Sequence, residues 1–396
     1  MKLTVILILI MVAAAVALVL LRGENDAADA PPPQPRLEAS GDWPIFRGDA
    51  ALRARSDNDP GDSLRLVWKR DTGAAIESSP VIADGLVFVG NNDGRLVALR
   101  LADGSEQWSY TADEPIVAPP LVAGGSVYVG TLGGDLLAIE AAGGKLQWTY
   151  STGGEIHGSA NASGEGEEMR ILVGSYDGKL HCVRAADGEG LWTYATEDYI
   201  NATPAIADGR AVFGGCDFHI RTVRVAAGES DGSLHLGEGS YMAASPAVAD
   251  DVAFAGTYDN RFVAVQLPDG PVLWEHAVSA AFFSPPAIAG DAVVAGCRDR
   301  RVYCFDADSG EVRWRFLTGG KVDGGPVVVG SRVVVGSGGG KLYVLDLADG
   351  SETFSYTLGG AVITSPAVVH GAVIVGCEDG YVYAFAPAEA ESGRTE

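Results

Sequence analysis

A glycine that closes a short Val-rich run recurs at Gly90, Gly130, Gly174, Gly214, Gly256, Gly296, Gly336 and Gly376, in steps of 40, 44, 40, 42, 40, 40 and 40 residues. Two neighbouring copies show the unit: VFVGNNDGRLVALRLADGSEQW (87–108) and VYVGTLGGDLLAIEAAGGKLQW (127–148). Each holds two apolar runs, two Gly-containing turns and a closing aromatic. The runs are too short for helices and carry no helical period. Val, Ile and Tyr between Asp-Gly or Gly-Gly pairs mark strands joined by hairpins, and Asp93-Gly94, Asp177-Gly178 and Asp379-Gly380 supply the positive φ such turns need. With the run before each hairpin and the run carrying the aromatic, one unit makes four antiparallel strands. Such a sheet cannot cover its own two faces and must stack on its neighbours.

The closing aromatic recurs at Trp68, Trp108, Trp148, Trp192, Trp274, Trp314 and Phe354. Between Trp192 and Trp274 one copy lacks it, and Leu236 is taken to stand in its place. Trp68 precedes the first repeat glycine, whereas Gly376 has no aromatic after it. LRLVWKR (64–70) is therefore an outer strand without a sheet, and the last unit is a sheet without an outer strand. Pairing them closes a ring and removes its open edges. The expected fold is all-β: an eight-bladed β-propeller over 64–386, closed by an N-terminal strand, with a disordered tail at 387–396. Each Trp is expected to cover the neighbouring blade's turn, burying about 200 Å².

Leu3–Leu21 is uncharged, with Lys2 before it and Arg22 after it. At helical rise it spans roughly 28 Å, the thickness of a bilayer's hydrocarbon. Residues 1–22 are thus expected to be an uncleaved signal anchor, with a cleaved signal peptide as the alternative. Lys2 ahead of the span and Glu24, Asp26 and Asp29 behind it place the bulk of the chain outside the cytoplasm. Residues 23–63, with PPPQP and then WPIFRG, are expected to form a linker. The net charge of −24 repels phosphate backbones and argues against nucleic acid as a partner. The five cysteines, Cys182, Cys216, Cys297, Cys304 and Cys377, show neither adjacent pairs nor CxxC, so no disulfide framework is expected. Cys182 and Cys304 fall where other copies have Ala98 and Ala138, a small buried position.

The full unit, as in SSPVIADGLVFVGNNDGRLVALRLADGSEQW and TSPAVVHGAVIVGCEDGYVYAF, resembles the pyrroloquinoline-quinone-like (PQQ-like) propeller repeat, and WPIFRG resembles the entry motif of envelope proteins built on it. The likeness covers roughly 43–386. It implies one of two classes: quinone-dependent dehydrogenases, or non-catalytic factors of the BamB type that act in outer-membrane assembly.

Lined up on the segment before each inner strand, one position is always apolar: Ile76, Ile116, Ile156, Ile200, Met242, Phe282, Val322, Val362. The next is mixed: Glu77, Val117, His157, Asn201, Ala243, Phe283, Asp323, Ile363. Neighbours in a strand point to opposite sides. The apolar set should pack between blades and the mixed set should ring the mouth of the central channel. Glu77, His157, Asn201 and Asp323 are the cofactor candidates there. Oxygen ligands suit Ca²⁺, and the resemblance implies a calcium–quinone site from Glu77, Asn201 and Asp323. However, those three sit in the first, fourth and seventh blades, and the adjacent-Cys disulfide of the dehydrogenases is absent. Neither HExxH nor a P-loop occurs, and no strand-to-helix nucleophile elbow is expected where the glycines belong to hairpin turns. No catalytic residue and no metal is therefore assigned, and no cofactor is expected, PQQ with Ca²⁺ being the alternative. Tyr176, Phe218 and Tyr258 in neighbouring hairpins, with a basic spot of Arg298, Arg300 and Arg301, are a candidate partner surface. The expected function is a non-catalytic, membrane-held, periplasmic scaffold, monomeric in its propeller, that contacts envelope or membrane proteins. The alternative is a quinoprotein dehydrogenase or a quinone or sugar binder.

Overall fold

The structure, a computed structural model, describes residues 36–388 apart from 243. The expected anchor at 1–22, the Pro-rich part of 23–63, position 243 of the mouth and most of the expected tail lie outside the described residues. No helix among them is long and apolar enough to cross a membrane. The described strands form eight sheets. The first blade runs Val81–Ala83, Leu86–Gly90, Arg95–Arg100 and Glu106–Thr111, in that order from the axis outward. The short first strands of successive blades adjoin one another around the axis.

The repeat glycine exists because of its neighbour. A Cβ on Gly90 would lie 2.1 Å from Ile116 Cγ2, and one on Gly130 would lie 2.1 Å from Ile156 Cγ2. The same seat recurs at Gly214 for Met242, Gly256 for Phe282 and Gly336 for Val362. All eight members of the apolar set are fully buried. The relation closes on itself, because Gly376 of the last blade seats Ile76 of the first. Leu64–Asp71 is the outermost strand of the last sheet, antiparallel to Tyr381–Pro387, with Trp68 opposite Ala384. That last strand runs one residue past the expected boundary.

Each indole spans a blade junction. Trp68 Nε1 donates to Leu101 O at 2.9 Å, Trp108 to Ala141 O at 2.9 Å and Trp314 to Leu347 O at 2.8 Å. The rings lie on Gly104, Gly144 and Gly350 of the next blade, where a Cβ would approach them to within 2.5–2.6 Å. Beneath the rings sit the small residues: Ala98 pairs with Trp108, Cys182 with Trp192 and Cys304 with Trp314. Burial pushes the Cys182 and Cys304 thiols up to about 12, so they pack as inert small groups.

Two expectations are corrected. The residue standing in the missing aromatic's place is Gly232, which pairs with Thr222 as Trp108 pairs with Ala98. Leu236 lies four residues on, buried, with its N–H on Phe218 O. No side chain fits at 232, since a Cβ there would meet Pro268 O of the next blade at 2.2 Å. The neighbouring turn has moved into the space an indole fills elsewhere.

The second correction concerns the linker. From Arg36 onward the chain belongs to the same compact unit as the blades. It runs around the axis along the free inner edges of the first strands, where in most blades its carbonyls take the N–H group of the strand's middle residue. Val122 donates to Pro44 O, Ile206 to Ala50 O, Val248 to Ala51 O, Ile288 to Arg53 O and Val328 to Ala54 O. Trp43 and Ile82 exchange both bonds, and Arg55–Ser56 adds a parallel strand to the seventh sheet. WPIFRG is thus a plug over one end of the channel, with Trp43, Ile45, Phe46 and Leu52 all buried.

Candidate functional site at the channel mouth

The open end of the channel is built in two tiers. The mixed set forms the inner tier. The residue two places after each repeat glycine forms the outer tier, held by a bond that repeats in every blade. Asn92 N donates to Ala75 O, Tyr176 N to Glu155 O, Cys216 N to Tyr199 O, Tyr258 N to Tyr241 O, Arg298 N to Ala281 O and Glu378 N to Ala361 O. The outer tier was not read from the sequence, although its fixed offset from the glycines was available there.

The tiers pair differently around the ring. Asn92 Nδ2 holds the exposed Glu77 carboxylate at 2.8 Å. Arg298 grips Asp323 with two nitrogens, at 2.7 and 3.2 Å, and lies 3.4 Å above the Phe283 ring. His157 shares a 2.7 Å hydrogen bond with Glu155 and stacks on Tyr176 at 4.4 Å, which stacks on Tyr199 at 4.9 Å. A second run goes from Phe218 to Tyr241 (4.8 Å), Tyr258 (6.0 Å) and Phe283 (5.5 Å). Tyr176, Phe218 and Tyr258 therefore belong to two aromatic runs in blades three to six, joined by Tyr199, Tyr241 and Phe283, which sequence reasoning left out of the patch. Tyr199 and Tyr258 are 50% and 56% exposed.

Phe218 is less exposed than expected and half-buried, with its ring against Tyr241 and His235. It takes φ +64°, and Arg300 takes φ +72°, at the turn position that Gly94, Gly178 and Gly380 hold in other blades. Such side chains cost about 1–2 kcal/mol in the left-handed region. The expected basic spot is largely neutralised. Arg298 is on Asp323 and Arg301 on Asp299, and among the described residues only Arg300 of the three has no carboxylate partner.

The electrostatics at the mouth are graded. Burial, followed by the charges of Glu77 and Asp323, holds the Glu378 carboxyl above its ordinary range. Burial, then Cys216, Glu155 and Tyr199, holds the Tyr176 phenol up. Across the ring Asp217 is a different case. Burial alone would raise it, but the Arg221 guanidinium at 2.7 Å brings it down and locks the Phe218 turn.

A calcium–quinone pair does not fit these residues. Glu77 and Asp323 are each engaged by a side chain of their own neighbourhood, which leaves Asn201, whose buried Oδ1 has no partner among the described residues, as the one uncommitted residue of the three. Among the described residues no three His, Cys, Asp or Glu groups converge to hold a metal ion. All five cysteines are free. What the mouth does offer is a broad aromatic surface bordered by fixed charge.

Comparison with solved structures agrees with the fold. BamB from Moraxella catarrhalis superposes with a TM-score of 0.71 at 21% identity, covering 83% of this chain and 99% of that one. The quinohemoprotein alcohol dehydrogenase from Comamonas testosteroni gives 0.75 at 14% identity, covering 89% and 82%. A europium-containing methanol dehydrogenase gives 0.76 at 13%, covering 87% and 98%. At these identities the likeness concerns the fold alone, and the same ring serves unrelated functions. No curated protein matches the sequence. The family model described as outer membrane protein assembly factor BamB matches residues 61–165, 157–296, 223–321 and 298–395, nearly the whole propeller, and the chain belongs to that family.

Proposed function

We propose that the protein is a non-catalytic scaffold of the bacterial cell envelope that binds other envelope proteins through the open mouth of its propeller. The membership just described supports this class of function, and the apolar Leu3–Leu21 stretch supports a membrane-held, periplasmic position. The observation that carries the reading is the aromatic surface. Tyr199 and Tyr258 stand half exposed within runs of stacked rings, on a rigid frame with Arg298 and Asp323 at its border. Tyr and Phe give large contact area at small entropic cost, and central aromatics with a polar rim are the usual make-up of a binding patch. Glu77, His157, Asn201 and Asp323 serve in this reading as the polar lining of the mouth rather than as ligands.

The test is site-specific photocrosslinking in cells. A photoreactive phenylalanine at 199 or 258 should give discrete adducts with envelope proteins, and one at Asp42, exposed beside the plug at the opposite end, should not. The proposal fails if 199 and 258 stay adduct-free, or if they label no more than 42 does.

A further inference from the structure

Arg47 of the plug is 1% exposed, at the level of the inner strands. Its Nη2 donates to Pro286 O at 2.9 Å and Pro326 O at 2.6 Å, the entries of two adjacent inner strands. Its Nε and Nη1 are buried and have no partner among the described residues. No described carboxylate forms an ion pair with it. Gly325 makes room for it, since a Cβ there would lie 2.1 Å from Nη1. Burial lowers its pKa to about 9, so the guanidinium keeps its charge at neutral pH.

Buried hydroxyls line the same axis. The residue before each inner-strand Pro is a small hydroxyl in several blades, and these hydroxyls link blade to blade around the axis. Ser79 Oγ accepts from Ser365 N, Ser365 Oγ from Gly325 N, Ser245 Oγ from Thr203 N and Thr203 Oγ1 from Ser159 N. All four hydroxyls are buried, and each spends its oxygen as an acceptor. Their hydrogens are left uncommitted among the described contacts. Ser365 adjoins the Gly325 on which the guanidinium rests.

A buried cation with two orphaned N–H groups and the uncommitted Ser365 hydroxyl close by calls for a compact negative acceptor. We propose that the channel axis binds one small monovalent inorganic anion, of the halide class, on Nε and Nη1 of Arg47, with the Ser365 hydroxyl as a further donor. The bound ion neutralises the plug's charge and fastens the N-terminal segment across the blades. An extended network of waters would satisfy the same hydrogens but leave the charge offset only by Asp49, which is itself paired with Arg53.

Two measurements on the purified full-length protein decide it. In crystals grown from bromide, an anomalous peak is expected within hydrogen-bonding distance of Arg47 Nε and Nη1. In thermal unfolding at constant ionic strength, replacing gluconate by chloride should raise Tm by about 2–4 °C once the ion is near ten times its Kd. Arg47→Met should lose that rise. A site filled by water without anomalous signal overturns the proposal. So does an equal chloride response in Arg47→Met, which would mean an adventitious ion only. Should Arg47→Met fail to fold, the natural protein still decides: a bromide peak on Arg47 together with the chloride rise in Tm supports the proposal, and a peak without that rise means an adventitious ion only.

Discussion

Trp68→Ala tests whether the seam of the ring is as strong as any other blade junction. Trp68 lies on the strand that comes from the far end of the propeller sequence, yet it is only 8% exposed, against 9% for Trp108 inside the ring. Both indoles donate at 2.9 Å to a carbonyl of the next blade, and both lie on a glycine there. Removing a ring of about 200 Å² at ~25 cal/mol/Å² forfeits about 5 kcal/mol. Local collapse returns part of this, and Trp→Ala changes in cores cost about 3–5 kcal/mol. The abandoned carbonyl of Leu101 adds about 1 kcal/mol. Trp68→Ala and Trp108→Ala should therefore each destabilise by about 3–5 kcal/mol and agree within about 1 kcal/mol. Phe354→Ala, half-buried and without a donor, should cost about 2 kcal/mol. The assay is equilibrium urea unfolding followed by circular dichroism. A cost below 1 kcal/mol at Trp68 beside a full cost at Trp108 would show that the seam bears no share of the stability, and the closure reasoning would be wrong.

Gly232→Trp restores the aromatic that other blades carry, yet it should destabilise by at least 2 kcal/mol, because Pro268 O already occupies the space; a raised urea midpoint would refute this. Arg300→Gly relieves a left-handed backbone with no ion pair to lose, and should stabilise by about 0.5–1 kcal/mol in the same assay. Glu378→Gln should raise Tm at pH 7. The Glu378 carboxyl is held up by burial and by Glu77 and Asp323, so its contribution is fully favourable below its unfolded pKa and is lost as pH rises through the higher folded value. The gain should vanish below about pH 4, where the acid is protonated in both states; a gain that persists there would remove the electrostatic explanation. The Asp103 carboxyl behaves oppositely. Hydrogen bonds from Ser105 and Arg36 hold it at about 2, so its small support is present above the unfolded pKa and is lost as pH falls toward 2, and Asp103→Asn should show no effect at pH 2.

The ring was legible because its governing contacts repeat in side chains. Gly90 must be glycine to seat Ile116, and that pair of constraints recurs once per blade, so one period in the sequence carries both halves of each junction. The closing strand was legible for the same reason, since Trp68 is an indole lacking a blade of its own. Gly232 was not legible as the aromatic's counterpart because it has no side chain, whereas Leu236 nearby is large and apolar. The constant spacing of 18 residues from repeat glycine to aromatic, as from Gly90 to Trp108, leads from Gly214 to Gly232 directly. The plug was illegible for a physical reason. Pro44, Ala50, Ala51, Arg53 and Ala54 act through backbone oxygens, and any residue has one. At the mouth, the residue types of the inner tier were visible, but which of them pair was not. Whether Arg298 reaches Asp323 or Asn92 reaches Glu77 depends on the offset between adjacent blades, which no single repeat encodes.

These two kinds of constraint divide the molecule. Every blade must satisfy the same junction, so the residues between blades repeat and the propeller is stiff. The mouth residues meet no such demand. They vary freely on the frame, and where they depart from the cheapest choice the departure has a direction. Five of the eight hairpins use glycine at the left-handed turn position, and Asn260 is a tolerant substitute, whereas Phe218 and Arg300 accept backbone strain there. Strain that a glycine would relieve at a hairpin turn is a reason to look for a use of the side chain. Both residues stand in the turns flanking the aromatic run of Tyr241, Tyr258 and Phe283, on the arc of the mouth where the exposed tyrosines lie. A surface kept for solubility alone would have no reason to hold an aromatic and a cation in turns built for glycine. The contact surface proposed above supplies such a reason, and Phe218→Gly should weaken the crosslinking at 258 if it is the right one.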